Sequence, residues 1–378
     1  MSAILLAVAA GVTIAGGATL PPAVVPAGNL LVTGDFNGDG WLDIVSVVRS
    51  QGSGAWYLAV FANDGSGHFN RGTTMSLNAE FVPFAITAAD FDRDGRLDVA
   101  ILGNGPNGSQ VLVALHRTAS FFTYAIPIAS NGFSLSAGDF TGDAFPDLLV
   151  TTYGNAQEFI NPGNGIFDQA RPVATLTIGV PLIADLNSDG NLDFALWSTG
   201  SQYPSSSVYL GDGQGNFTQS TAGPFPGNIG GMSIADLNSD GKPDLVSVLA
   251  LGTMRPLAFQ VAYGNGDGTF QKLVSPAASL PYPNGFGIAT GDVNNDGRID
   301  VLVLAGDAQS SIVAVYFNIG NGAFSEPVST VLPRKFRGIQ LATFTADNYL
   351  DLLIEAEGFQ LIDLIQFNDG SGRMGAAE

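Results

Sequence analysis

"GDVNNDGRID" at 291–300 sets an oxygen-bearing side chain at every second position, then a glycine, then one more aspartate. Counting from Asp292, positions one, three and five are Asp292, Asn294 and Asp296, with Gly297 at six, Arg298 at seven and Asp300 at nine. Near-copies recur as "GDFNGDGWLD" at 34–43, "ADFDRDGRLD" at 89–98, "GDFTGDAFPD" at 138–147, "ADLNSDGNLD" at 184–193, "ADLNSDGKPD" at 235–244 and a decayed "ATFTADNYLD" at 342–351. Their first positions, Asp35, Asp90, Asp139, Asp185, Asp236, Asp292 and Thr343, are spaced by 55, 49, 46, 51, 56 and 51 residues. A period near fifty is that of a propeller blade or a solenoid coil.

The flanks of each copy decide between those two. An apolar run leads in ("FGIATGDV") and a second follows the acidic loop ("IDVLVLAG"). A third comes next ("SIVAVYFN"), then a glycine turn ("IGNGAF") and a last short run. Equivalent turns are "NDGSGHF" at 63–69, "GDGQGNF" at 211–217, "GNGDGTF" at 264–270 and "NDGSGRM" at 368–374. Asn-Gly and Asp-Gly between short runs rich in Val, Ile, Leu and Phe mark hairpins, and the runs are too broken for helices. Four antiparallel strands per repeat predict an all-β, seven-bladed β-propeller occupying the whole chain as one domain, with repeats from about residue 30 onward. The last repeat lacks room for a fourth strand after its hairpin, so an N-terminal strand, roughly "VTIAGGATL" at 12–20, is expected to complete the final blade. The uncharged stretch 1–34 also admits a signal remnant. A membrane span is not expected, because Gly, Thr and Pro21-Pro22 dilute it.

The acidic loop reads as a wrap of hard oxygen donors around one Ca²⁺, which takes six to eight oxygens in flexible geometry. Position seven would contribute its backbone carbonyl, so its side chain is free to vary. The predicted ligands are Asp35, Asn37, Asp39, Trp41 and Asp43; Asp90, Asp92, Asp94, Arg96 and Asp98; and Asp139, Thr141, Asp143, Phe145 and Asp147. The same reading gives Asp185, Asn187, Asp189, Asn191 and Asp193; Asp236, Asn238, Asp240, Lys242 and Asp244; and Asp292, Asn294, Asp296, Arg298 and Asp300. An EF-hand would need Glu at position twelve, where Ser46, Ile101, Leu196, Ser247 and Val303 stand, and helices on both sides. A bare polar turn would not recur in register. The third loop is weaker, with Thr141 at position three and Ala144 in place of the turn glycine. The seventh, with Thr343, Thr345 and Asn348, is not expected to hold an ion tightly. Five or six Ca²⁺ sites follow.

Charge agrees. The chain has 14 Lys and Arg against 34 Asp and Glu, for a formal charge of −20, and 21 of those acids lie in the seven nine-residue loops. Crowded carboxylates repel unless a cation sits among them. Such a chain has no basic footprint for nucleic acid. It has no cysteine, hence no thiolate chemistry, and only two histidines, His68 and His116, neither with an evident acid or base partner in the sequence.

The run "FGIATGDVNNDGRIDVLVLAG" at 286–306 resembles the FG-GAP and VCBS repeats, best known from the integrin alpha-subunit propeller, and opens with their Phe286-Gly287 pair. It departs at Leu304-Ala305-Gly306, where that family often has Gly-Ala-Pro. The resemblance spans the chain from about residue 12. It implies a seven-bladed propeller with calcium in the loops joining first and second strands. It does not imply one activity, since similar propellers serve adhesion proteins, fungal lectins, lyases and dehydratases.

By analogy with that family, partner binding is expected on the rim opposite the acidic loops. Tyr153, Tyr203, Phe225 and Tyr282 with Arg255, Arg334 and Arg337 are the candidates there, alongside Phe286, Phe336 and Lys335, and each ring alternatively wedges between blades. Three functions fit. One is a non-catalytic, calcium-stabilised module, monomeric and exported, that binds a glycan or a cell-surface protein. Another is the scaffold of a polysaccharide lyase or sugar dehydratase. The third is a structural module of a larger surface protein.

Overall fold

The computed structural model describes residues 24–26, 30–50, 54–118, 120–168, 170–175, 179–198, 205–226, 229–249, 259–271, 274–275, 284–307, 310–332, 335–347, 349–356, 362–366, 368 and 370. Every regular element among them is a strand. In the first repeat Leu30–Gly34, Asp43–Arg49, Trp56–Asn63 and Phe69–Ser76 pair antiparallel in chain order. The second, third, fourth and sixth repeats follow the same plan. The fold is a β-propeller of four-stranded antiparallel blades.

The second strand of each repeat shows why the chain adopts it. Asp147–Thr152 and Asp300–Gly306 are buried along their whole length, because sheets cover them on both faces. Alternation of polar and apolar residues is then not required. Val45, Val47 and Leu58 of the first repeat pack on Phe81, Ile86, Val99 and Ile101 of the second. Leu31, Ile44 and Phe61 pack on Phe344 and Leu353 of the seventh. The ring therefore closes on itself, and closure removes the free sheet faces of an open stack.

Two expectations change. Six sheets are four-stranded among the described residues, whereas the fifth repeat forms a three-stranded sheet of Ile229–Ala235, Asp244–Leu249 and Phe259–Ala262. The expected seven four-stranded blades are thus six. An N-terminal strand does complete the last sheet, but it is Val24–Pro26 pairing with Ile362–Gln366 through Val24↔Leu364 and Pro26↔Ile362. The stretch 12–20 lies outside the described residues. The observed strand is the run "VVP" beyond Pro21-Pro22, and a proline is tolerated at an outer sheet edge. No helix among the described residues is long and apolar enough to cross a membrane.

This order of strands puts the acidic loops and the glycine hairpins on one rim. The turns between second and third strands fall on the other.

Candidate metal centre

Each acidic loop is wound by its own side chains. Asp292 Oδ1 accepts from the N–H of Asp296 at 3.1 Å and its Oδ2 from that of Gly297 at 2.7 Å. Asp296 Oδ1 then accepts from the N–H of Arg298 at 3.0 Å. Asp35, Asp90, Asp185 and Asp236 grip positions five and six in the same way. The curl needs two left-handed residues, at positions four and six. Position six is the glycine noted in the sequence. Position four is filled by Arg93 (φ 54°), Ser188 (62°), Ser239 (60°) and Asn295 (59°) as well as by glycine.

Position nine has a structural duty that the sequence did not disclose. Asp43, Asp98, Asp147, Asp193, Asp244, Asp300 and Asp351 are all fully buried. In each, Oδ2 accepts from the N–H of position two and Oδ1 from an N–H at, or within two residues of, the end of the third strand. For Asp300 these are Val293 at 3.1 Å and Asn318 at 2.8 Å, and for Asp351 they are Phe344 at 2.9 Å and Asn368 at 3.0 Å. Burial pushes these carboxyls up to about 6 despite the two amide donors, and Asp98 up to about 7, with Asp92 and Asp90 adding to the rise. The predicted ligands at nine are therefore first of all ties between the loop and the third strand. Asp351 keeps both ties in the decayed repeat. A carboxylate oxygen has two lone pairs, so Oδ1 of each retains one for a cation, whereas Oδ2 of Asp147 and Asp351 takes a second bond from a threonine hydroxyl.

The second loop is the clearest fit to a metal ion. One oxygen each of Asp90, Asp92 and Asp98 lie within 4.8 Å of one another. Asp92 Oδ1 is buried without a hydrogen-bond partner, while Oδ2 takes the guanidinium of Arg117. Three converging carboxylates suit a hard divalent cation. In the first, fourth and sixth loops an amide replaces the third carboxylate, and Asn37, Asn187 and Asn294 each donate to Oδ2 of position five. In the third loop the Thr141 hydroxyl instead turns inward to Asp147 Oδ2 at 3.3 Å. In the seventh, Thr345 donates to Asp347 and Asp351, and Ser66 of the first repeat bridges to Thr345.

Position-seven side chains lie outward, as a backbone-only role requires. Arg96 and Arg298 pair with Asp94 and Asp296, Lys242 reaches Asp240 at 3.9 Å, and Arg93 sits 5.1 Å over the ring of Phe145. The Trp41 ring lies against Gly65 of the hairpin beside it, and Asn191 against Gly213.

The sequence reading missed a clamp between repeats. The buried Asn63 donates through Nδ2 to the Leu42 carbonyl at 3.1 Å and to that of Phe344, in the last repeat, at 2.7 Å. Asn161 reaches Phe91, Asn318 reaches Leu237 and Asn368 reaches Val293 in the same way. In the fourth and fifth repeats backbone N–H groups substitute, from Gly215 to Phe140 and from Gly268 to Leu186. The signal was the asparagine opening "NDGSG", "NPGNG" and "NIGNG".

His68 also has partners. Ser66 Oγ donates to Asp64 Oδ1 at 2.5 Å and meets His68 Nδ1 at 2.8 Å. On the opposite rim Tyr153 is 57% exposed, edge-on to Phe133 at 5.9 Å. Phe225 and Phe336 are instead buried between sheets and unavailable to a ligand, which corrects their candidacy. Tyr203, Arg255, Tyr282 and Arg334 lie outside the described residues. Phe286 and Arg337 are placed in first strands without a described side chain, so of the seven candidates Tyr153 is the one described as exposed.

Comparison with known proteins agrees with the fold. FG-GAP-like repeat matches cover residues 35–101, 139–196, 185–247, 236–303 and 292–354. No curated protein matches the chain. Among solved structures, an Agrocybe aegerita lectin that recognises non-reducing terminal N-acetylglucosamine is 22% identical, with 79% of each chain covered and a TM-score of 0.53. BBS1N, solved in complex with ARL6DN, is 13% identical over 93% of this chain and 99% of its own, with a TM-score of 0.58. A Bacillus licheniformis rhamnogalacturonan lyase is 13% identical over 97% of this chain and 76% of its own, with a TM-score of 0.53. At these identities the likeness is one of fold, and it is the repeat matches, laid over the same acidic loops, that place the chain in the FG-GAP-like repeat family.

Proposed function

We propose that the chain is a calcium-stabilised, non-catalytic binding propeller, exported to the cell surface or medium, that recognises a glycan or a surface protein. The observation that carries the calcium reading is the second loop, where Asp90, Asp92 and Asp98 converge and Asp92 Oδ1 is buried without a partner. Five or six such ions would staple the first and second strands of their blades. The acidic carboxylates are thereby occupied, which directs ligand binding to the opposite rim. There Tyr153 offers an exposed ring braced by Phe133, the kind of face on which a sugar stacks. The fold is shared by a lectin and by a protein solved with a protein partner, so both ligand classes enter the test.

Seven blades are part of the same proposal. The three-stranded sheet of the fifth repeat is flanked by reciprocal N–H···O bonds between Val261 and Val274, as a short outer strand would make.

A glycan array and a panel of surface proteins, each probed in CaCl₂ and in EDTA, test the reading alongside thermal melts. Expected are a lower Tm in EDTA and ligand binding that Tyr153→Ala weakens at least tenfold. An unchanged Tm in EDTA removes the calcium reading. Turnover of an acidic polysaccharide, abolished by substitution on the non-metal rim, replaces binding with a lyase activity. Binding to nothing on either panel leaves a structural module.

A further inference from the structure

The third strand of every repeat sets one side chain opposite the eleventh residue of the repeat, in the second strand. The pairs are Val45↔Val60, Ala100↔Val113, Ala195↔Val208, Val246↔Val261, Leu302↔Val315 and Leu353↔Ile365. The third repeat breaks the pattern with Leu149↔Glu158. The five valines are buried in sheet interfaces, and Glu158 is just as buried, at 0% exposure. Neither of its carboxylate oxygens has a hydrogen-bond partner. The ion pairs among the described residues do not include it. A carboxylate withdrawn from water without a partner is among the costliest groups a fold can carry, and it demands either a cation or a proton.

Its surroundings favour the cation. Glu158 shares a sheet face with its register partner Leu149, and therefore with Asp147 two residues along that strand. This face meets the fourth repeat's hairpin. A side chain added at Gly215 would stand 2.6 Å from Oε2 and 2.9 Å from Oε1, so the glycine leaves the carboxylate its space. Gly215 N–H is committed to the Phe140 carbonyl and cannot serve it. Among the described residues the acidic neighbours are Asp147 and Asp212, and the basic neighbour is Arg171, its cross-strand partner, which is exposed. The third loop is also one that lacks an amide or carboxylate at position three, where Thr141 spends its hydroxyl on Asp147. The repeat that lost an oxygen ligand above has gained a carboxylate below.

We propose that Glu158 and Asp147 together hold a divalent cation of the calcium class on the inner side of the third acidic loop, Glu158 supplying the carboxylate that the loop lacks at position three. This rests on the calcium reading given above.

The full chain, stripped with EDTA, is titrated with Ca²⁺ by equilibrium dialysis and followed by thermal melts. Two variants are compared with wild type. Glu158→Val installs the residue that five other repeats already pack at this position, so the fold is retained, and Glu158→Gln keeps the size without the charge. Expected is the loss of one Ca²⁺ equivalent, or at least tenfold weaker binding at one site, in both variants, with the remaining sites unchanged. The Tm gained on adding Ca²⁺ should shrink in both. If Glu158→Val binds as many ions as tightly as wild type and melts higher in EDTA and Ca²⁺ alike, Glu158 is a protonated core residue and the proposal is overturned. That failure leaves wild-type calcium binding intact. Failure of the calcium reading itself would show as a wild type that binds no Ca²⁺ at all, and Glu158's assignment would fall with it.

Discussion

Ala144 holds a φ of 71° at the position where most of the acidic loops carry glycine. A left-handed backbone costs an L-residue roughly 1–2 kcal/mol, and glycine returns part of that through a more disordered unfolded chain. The bond from Ala144 N–H to Asp139 Oδ2, at 2.8 Å, needs no side chain and is kept on substitution. Ala144→Gly is expected to stabilise by about 0.5–1 kcal/mol, read as a higher urea midpoint at unchanged m. A midpoint that does not move would mean the loop relaxes elsewhere. The position-six requirement was legible because glycine announces it. The matching requirement at position four was not, because Arg93, Ser188 and Ser239 meet it and nothing in Arg or Ser advertises a left-handed backbone. Ser and Arg are found there because the grip of position one on the amides of five and six over-determines the turn.

At the level of strands and hairpins, four asparagines each join their own repeat to the one before it in the ring. Asn63 is the most consequential, since its Phe344 partner lies across the seam where the first repeat meets the last. Asn63→Ala leaves the carbonyls of Leu42 and Phe344 without this donor and removes the acceptor of Gly65 N–H. With desolvation costs of about 1–3 kcal/mol per orphaned group, partly relieved by water at the rim, the expected loss is about 2–3 kcal/mol. Asn318→Ala, at an internal interface of the same geometry, should lose a similar amount if the ring unfolds as one unit. Denaturant titrations of the two variants check this, and a loss below about 0.5 kcal/mol in either would mean water replaces the clamp. The hairpins themselves were legible, from Asn-Gly and Asp-Gly at fixed distances after each acidic loop. The clamp was not, because its acceptor belongs to another repeat some seventy or more residues away in sequence for Asn161, Asn318 and Asn368. Repeat periodicity predicts which strands pair within a blade but leaves the contacts between blades open. The same limit explains Phe225 and Phe336, whose rings face a neighbouring sheet and not a rim.

Over the whole molecule the dominant fact is charge. The formal net charge is −20, and six Ca²⁺, at two charges each, would bring it to −8. The buried aspartates at position nine convert that balance into a pH dependence. In the unfolded chain they titrate near the ordinary 3.8, whereas burial holds Asp43, Asp147, Asp193, Asp244, Asp300 and Asp351 at about 6 and Asp98 at about 7. Between those values these aspartates bind more protons in the folded state than in the unfolded one, so the stability they contribute to the metal-free protein is present in full below about pH 4 and is lost as pH rises towards 7. A cation beside the same carboxylates favours their ionised form and acts in the opposite sense. Metal affinity therefore rises over the window in which metal-free stability falls. The gap between the Tm in CaCl₂ and the Tm in EDTA is expected to be small near pH 4.5 and widest near pH 7.5, with the EDTA curve carrying most of the slope. A gap of constant size would show that the cages are not coupled to the aspartates beneath them. An EDTA curve that rises with pH would show that the two backbone amides on each aspartate outweigh burial, and the ties at position nine would then stabilise the charged form unaided.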